Sequence, residues 1–454
     1  MNLKQKVFHA SAWVLLGYAL SQLIRVGSGF IISRLLSPEI FGLLAIVYVI
    51  MVAIGLMTDL GLTLSVTKSQ DTEKPEFINT IWSIQVIKGI TIFLLTLCVA
   101  AFFYLANINQ LFPVGIAYSN VLLPSIICVL SINALISAFD PTWILLATKN
   151  MQQALITKIE LISQILCASV SIAWAWFDKS PWAIVIGMLI GTFSKSILTH
   201  FYNISPNNKW HLDKKYLFET LHFGKWIFIT TLIGFYATNG DRLILGWYVD
   251  EKTLGLYSIA YMFYSLVFIV HEKLLASVVF PALSHSYESG IERLNANYHK
   301  FKLYSDAGLL FLAGAFFAAS QLIISMIYDD RYLFAGNVLQ VLCIAFVAMR
   351  YRITEQYFLV INKPYISSVV NSVKAVALIV LVSSLYKLYG FNGAVWGITG
   401  SAFASIPILL FLKYKYKILN ARNELITIPF LALGWLVGKL SVVSVNYIIK
   451  ILTS

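Results

Sequence analysis

Thirteen runs of predominantly apolar residues follow one another along the chain, near 8–33, 41–66, 79–106, 114–139, 154–177, 181–203, 217–238, 254–280, 302–328, 334–360, 365–387, 391–412 and 425–449. A helix needs about 20 such residues to cross the hydrocarbon core of a bilayer, and in lipid each backbone polar group must be satisfied within the segment. The runs are too long for barrel strands and lack period-2 alternation, so they predict an all-α polytopic membrane protein. Composition agrees: 59% of residues are AVILMFWYC and 12% are charged, against about 25% charged in a soluble domain. That balance excludes a cytosolic enzyme, a nucleic-acid binder and a disordered scaffold. The net charge of +12, from 33 Lys and Arg against 21 Asp and Glu, reads first as cytoplasmic loops rather than as a polyanion partner.

Loop charges set the orientation. The N-terminus and the even-numbered connections hold fifteen Lys and Arg, the odd-numbered connections and the C-terminus seven. The N-terminus is therefore expected in the cytoplasm. No small-residue cleavage site follows the first run, which is expected to stay in the membrane. The last run, at about 25 residues, is expected to be one helix rather than a hairpin. Were it interfacial, the count would be twelve.

The sequence matches itself at an offset of 213 residues without a gap. His9 meets His222, Trp13 meets Trp226, Gly27 meets Gly240, Ile31 meets Ile244, Gly42 meets Gly255, Leu43 meets Leu256, Ile46 meets Ile259 and Tyr48 meets Tyr261. An offset of six spans preserves orientation, so the halves are expected to be parallel six-helix repeats around a central cleft, as in transporters that alternate access. The expected organisation is 1–212, 213–412 and an additional C-terminal helix within 413–454.

Charges inside or beside the spans are the main pointer to function. Eleven are cations; six are acids, namely Asp59, Asp140, Glu160, Glu272, Asp306 and Glu355. Each buried charge costs at least about 2.5 kcal/mol unless it meets water or a partner. A hydrated cleft that receives an anion accounts for the surplus. In span one Ser11, Tyr18, Gln22, Arg25 and Gly29 form one polar stripe at helical steps; in span three Gln85 and Lys88 do so, and in span eleven Ser367, Asn371 and Lys374. In span ten Arg350 lies one turn from Thr354, and Arg352 one turn from Glu355. Arg offers forked donors that suit phosphate oxygens, and Lys a point charge. Arg25, Lys88, Lys374, Arg350 and Arg352, with Gln22 and Gln85, are the candidate substrate contacts. For Arg352 the competing reading is an ion pair with Glu355; for Arg25, Lys88 and Lys374 it is an interhelical pair with Asp59 or Glu272. Lys195, Lys225, Lys302 and Lys439 are expected to snorkel to the head groups.

Span eight carries Tyr257, Tyr261, Tyr264, Phe268 and Glu272 on one face. A tyrosine face ending in an acid suits sugar rings, although helix packing gives the same pattern. Glu272 and Asp59 are candidates for carrying a coupling proton or cation, with salt bridging as the alternative. Gly187/Gly191 and Gly393/Gly397 predict close helix packing. Cys98, Cys128, Cys167 and Cys343 form no CxxC, so neither a disulfide framework nor a metal site is expected. No Walker A, GxGxxG, GxSxG or HExxH stretch occurs, and no cofactor or catalytic residue is predicted.

The stretch Arg34-Leu-Leu-Ser-Pro-Glu-Ile-Phe-Gly-Leu-Leu-Ala45, followed by Asp59-Leu-Gly-Leu62, resembles the opening of the bacterial polysaccharide-transport flippases of the Wzx type. Gly240-Asp-Arg-Leu-Ile-Leu-Gly246 and Leu254-Gly-Leu-Tyr257 resemble the second-half repeat of the same family. The resemblance implies the multidrug/oligosaccharidyl-lipid/polysaccharide (MOP) exporter fold. It also implies a substrate: a short oligosaccharide on undecaprenyl diphosphate, moved from the inner to the outer leaflet of the inner membrane. A cationic central cavity is implied, with Arg25, Lys88 and Lys374 in that role. Membrane lipids and a polymerase of the same pathway are the implied partners. Two rivals stand beside it. A MATE-like exporter of small organic compounds would favour acids over cations in the cleft. A membrane glycan polymerase or ligase would need a sizeable outer loop with paired acids, and the 239–253 connection lacks that spacing.

Overall fold

The computed structural model describes the backbone at 3–57, 62, 66, 69, 71–72, 74–149, 153–202 and 208–453; side chains at 3–15, 57, 148–149, 153, 219–230, 449–450 and 452–453 are not described. Asp59 therefore lies outside the described residues, as do the side chains of His9, Trp13, His222, Lys225 and Trp226. All regular structure among the described residues is helical. Nine stretches among them are long and apolar enough to cross a membrane, and the chain is a multi-pass membrane protein.

The chain divides into two compact units, Met1–Phe235 and Tyr236–Ser454, with the division inside one long helix. The first unit comprises α1 (Leu3–Leu35), α2 (Pro38–Met57), α3 (Pro75–Ile108), α4 (Leu123–Ala138), α5 (Trp143–Lys149), α6 (Gln153–Phe177), α7 (Trp182–Phe201) and the start of α8 (Lys214–Tyr248). Prolines punctuate it: Pro38 and Pro75 open α2 and α3, where a missing N–H costs nothing. A Cβ on Gly187 would lie 2.8 Å from the Cys167 carbonyl, and one on Gly191 2.9 Å from the Cys167 Cβ. α6 and α7 thus meet backbone to backbone, the close packing expected of that glycine pair.

The second unit continues α8 and adds α9 (Glu251–Leu274), α10 (Phe280–Glu288), α11 (Ile291–Ile327), α12 (Phe334–Leu342), α13 (Ala345–Met349), α14 (Arg352–Val360), α15 (Tyr365–Phe403), α16 (Ile406–Lys415), α17 (Ala421–Ile426) and α18 (Pro429–Thr453). A π-turn at Leu275–Val279 joins α9 to α10. The tenth apolar run is one span broken into α12, α13 and α14. α15 holds run eleven and the first part of run twelve, which continues in α16, and its path reverses at Gly390, whose φ of 61° suits a residue without a side chain. Beyond the turn, a Cβ on Gly397 would lie 2.8 Å from the Leu381 carbonyl, so the two arms pack tightly against each other. The last run is one helix, α18, laid along α11. A Cβ on Gly438 would fall 2.6 Å from the Ala315 carbonyl, and Gly314 and Gly434 face backbone atoms of the opposite helix closer still.

The 213-residue repeat is visible in the helix ends. Displaced by that offset, Leu35 and Pro38 land on Tyr248 and Glu251, where α8 ends and α9 begins. Leu43 and Leu256 are both buried, as are Ile46 and Ile259. Asp250 caps α9 by accepting from the Thr253 N–H at 3.0 Å.

Candidate functional site

The second unit encloses a cavity of about 120 Å³. α9 supplies one wall through Tyr261, Tyr264 and Phe268, the helical stripe read from the sequence. Ala345, Ala348 and Met349 of α13, Arg352 of α14, and Asn371 and Lys374 of α15 supply the others, with Thr399 and Ser401 beyond the Gly390 turn. Asp241, from α8, closes one end.

The cations here are compensated across helices. Arg352 forks onto Glu272, through Nε to Oε1 and through Nη2 to Oε2 at 3.0 Å. Its guanidinium also lies 5.3 Å from the centre of the Phe268 ring. Lys374 Nζ is 3.4 Å from Glu355 Oε1. The alternative offered within span ten, Arg352 with Glu355, thus gives way to two interhelical pairs. The physical reason is convergence: α9, α14 and α15 meet here, and a fork-to-fork carboxylate contact is the better partner for a guanidinium.

Asp241 differs from the other two acids. It is buried, accepts a hydrogen bond from the Tyr257 hydroxyl, and leaves Oδ1 without a partner. Next to it, Arg242 stacks over Tyr261 at 4.1 Å. The sequence reading put Asp241 in an outer loop and missed it. Tyr257 holds Asp241 from the core rather than lining the cavity.

Arg350 points into a separate, buried ion cluster. Lys302 Nζ lies 2.6 Å from Asp306 Oδ2 and 3.4 Å from Glu424 Oε1. Arg350 lies 3.5 Å from Glu424 and 3.9 Å from Asp306, and Lys413 pairs with Glu424. Lys302 is 2% exposed, which corrects the expectation that it snorkels. The Asp306 partner one turn along was the available signal. Lys439, by contrast, is exposed, with its ammonium over Trp435.

In the first unit, Gln22 and Arg25 sit one turn apart on α1, half-buried, with Gln22 Oε1 and Arg25 Nε lacking hydrogen-bond partners. The neighbouring Ser21 exchanges two hydrogen bonds with Gln164 of α6. A second cavity, of about 360 Å³, is lined by Lys88, Gln85, Lys195 and Asp140. Gln85 donates to the carbonyls of Ser137, Ala138 and Asp140 and so closes the end of α4. Lys195 pairs with Glu160 at 3.1 Å. Burial raises the Asp140 carboxyl in the short connection after α4, against the pull of Ser196 and Lys195. Among the described residues no group of three or more His, Cys, Asp or Glu could hold a metal ion.

Solved structures define the class first. The lipid II flippase MurJ, in an inward closed conformation, aligns with 97% of this chain and all of its own, at a TM-score of 0.69 and 16% identity. An inward-facing multidrug-resistance MATE transporter of the MOP superfamily aligns with 88% of this chain and 94% of its own, at 0.66 and 15%. The chain therefore has the MOP exporter fold, as the sequence resemblance implies. Within that fold, a family model described as polysaccharide biosynthesis protein matches residues 31–337, and the chain belongs to that family. Lipopolysaccharide biosynthesis protein WzxC of Escherichia coli (strain K12) is 21% identical over 351 residues, which cover 76% of this chain and 68% of that protein. A putative O-antigen transporter of Shigella flexneri is 23% identical over 401 residues, covering 85% and 92%.

Proposed function

We propose that this chain moves oligosaccharide repeat units linked to undecaprenyl diphosphate from the inner to the outer leaflet of the bacterial inner membrane, for O-antigen, capsule or exopolysaccharide synthesis. Family membership and the names of its relatives support the substrate class. The observation that carries the mechanism is the second-unit cavity, where an arginine and a lysine, each held by its own carboxylate, face a wall of aromatic rings. In this reading Glu272 and Glu355 keep the places of the diphosphate oxygens while the cavity is empty of substrate. An arriving diphosphate takes the Arg352 fork and the Lys374 ammonium, for which its geometry is suited. The displaced carboxylates then need a proton or a cation, so Glu272 remains a coupling candidate, together with Asp59. Tyr261 and Tyr264 offer flat faces to the first sugar. The volume is well below the roughly 300–1,000 Å³ of pockets that hold drug-sized ligands, so it admits the head group and the edge of the first sugar, while the rest of the glycan lies beyond it.

Gln22, Arg25 and Lys88 contribute from the first half. The halves, 1–212 and 213–412 with 413–454 as an added helix, alternate access as parallel repeats. The N-terminus is cytoplasmic, the chain performs no catalytic step, and a polymerase of the same pathway receives the product. Replacing Arg352 or Lys374 with Met tests the reading in cells: each should abolish surface glycan at unchanged protein level. Normal display in both would remove this cavity from the mechanism. Membership of the polysaccharide biosynthesis family and the names of its relatives disfavour a MATE-like exporter of small organic compounds.

A further inference from the structure

Span ten breaks between α13 and α14, and the two sides of the break face opposite chemistry. Arg352 enters the cavity. Arg350 and Tyr351 enter the buried cluster of three cations and two carboxylates. Tyr351 is its centre: Lys302, Arg350 and Lys413 lie 4.8, 5.0 and 5.8 Å from its ring centre. Its hydroxyl accepts from Arg350 Nη2 at 3.0 Å and donates to Glu424 Oε2 at 3.3 Å. Glu424 comes from α17, in the added C-terminal segment, and reaches all three cations and this hydroxyl. Without it three cations would face Asp306 alone. Only Tyr351 separates Arg350 from Arg352, so a shift at the break is carried to the cavity. A forked contact tolerates only about 0.5 Å of misplacement.

We infer that Glu424 is a positioning residue for the cavity: it anchors the break in span ten and so aims Arg352 at Glu272 or at the ligand that replaces it. The consequence for binding rests on the function proposed above; the anchoring itself does not. The role gives the C-terminal segment a part in the site, although none of its described residues lines the cavity.

The test uses full-length protein in nanodiscs with undecaprenyl diphosphate as the probe. E424Q should weaken probe binding about tenfold, and E424D, which keeps the charge, should restore it to within about twofold. Should E424Q fail to accumulate, E424Q/K413M removes one charge of each sign and should show the same loss. Wild-type affinity in these variants, whatever their melting temperature, would overturn the assignment. A wild-type protein that binds no probe would count against the cavity reading, and a second arm then decides. Ser401→Cys lines the cavity; in a chain with Cys98, Cys128 and Cys167 replaced by serine, its rate of reaction with a water-soluble maleimide should change at least about threefold on adding E424Q/K413M. Equal rates would overturn the positioning role without reference to substrate.

Discussion

A guanidinium that already grips a carboxylate with two nitrogens is prepared for a phosphate, because both ligands present paired oxygens to the same fork. Arg352 with Glu272 is that arrangement, and Lys374 with Glu355 is its point-charge counterpart. If the acids keep the place of the substrate, removing their charge should help binding. E272Q and E355Q should each bind undecaprenyl diphosphate about tenfold more tightly in a titration of purified protein, while slowing release. Weaker binding in both would make the acids structural. A second prediction concerns Asp71, outside the spans. Its hydrogen bond with Lys74 at 2.8 Å and the one it accepts from the Tyr216 hydroxyl at 3.0 Å hold its carboxyl below the ordinary value. A lowered value means the tether is present above about pH 4, the ordinary carboxylate range, and is lost as pH falls through the folded value. Hydrogen exchange around Tyr216, corrected for its intrinsic pH dependence, should speed up on acidification in the wild type and be fast throughout in D71N. The cations Arg352 and Lys374 were legible because unpaired mid-span charge is costly. Both acids were legible too, but crosswise, Glu355 for Arg352 and Glu272 for Lys374: periodicity proposes contacts along one helix, and which acid meets which cation is decided by how three helices converge. Glu424 was hidden for the same reason, since its partners lie on other elements.

Elements repeat this division. Gly187 with Gly191 and Gly393 with Gly397 announced close packing through their spacing, while Pro38 and Pro75 open two helices and Gly390 makes the reversal. The seam between α11 and α18 was not announced, because Gly314 lies against Leu431 and Trp435, and Gly434 and Gly438 against Phe311 and Ala315, across more than a hundred residues. A side chain there meets backbone that cannot yield. Overpacking of this kind costs about 1–3 kcal/mol, so G434L should lower the unfolding temperature in detergent, whereas a change on the lipid-facing side, such as V443L, should not. An equal melt for G434L would mean that α18 docks more loosely than its glycines indicate. The broken span ten is the other informative element. Its interruptions read in the sequence as an ordinary apolar run, since Cys343-Ile344 and Arg350-Tyr351 contain neither Gly nor Pro; the breaks come from where the flanking side chains must go.

For the whole molecule, hydropathy determined the class, and the 213-residue repeat located matching helix ends in the two halves. What single-sequence patterns do not carry is the depth at which charges from different helices meet, and function in this fold depends on that. The central claim is that lipid-linked glycan crosses by way of Arg352 and Lys374. Purified protein in vesicles loaded with undecaprenyl-diphosphate-linked oligosaccharide measures it directly, by the rate at which glycan becomes accessible to an added reagent on the far leaflet. Wild-type protein should move the glycan, and R352M/K374M should slow it at least about a hundredfold, the size of a loss when an orienting contact to the transferred group is removed. Transfer by the double variant at the wild-type rate would contradict the account.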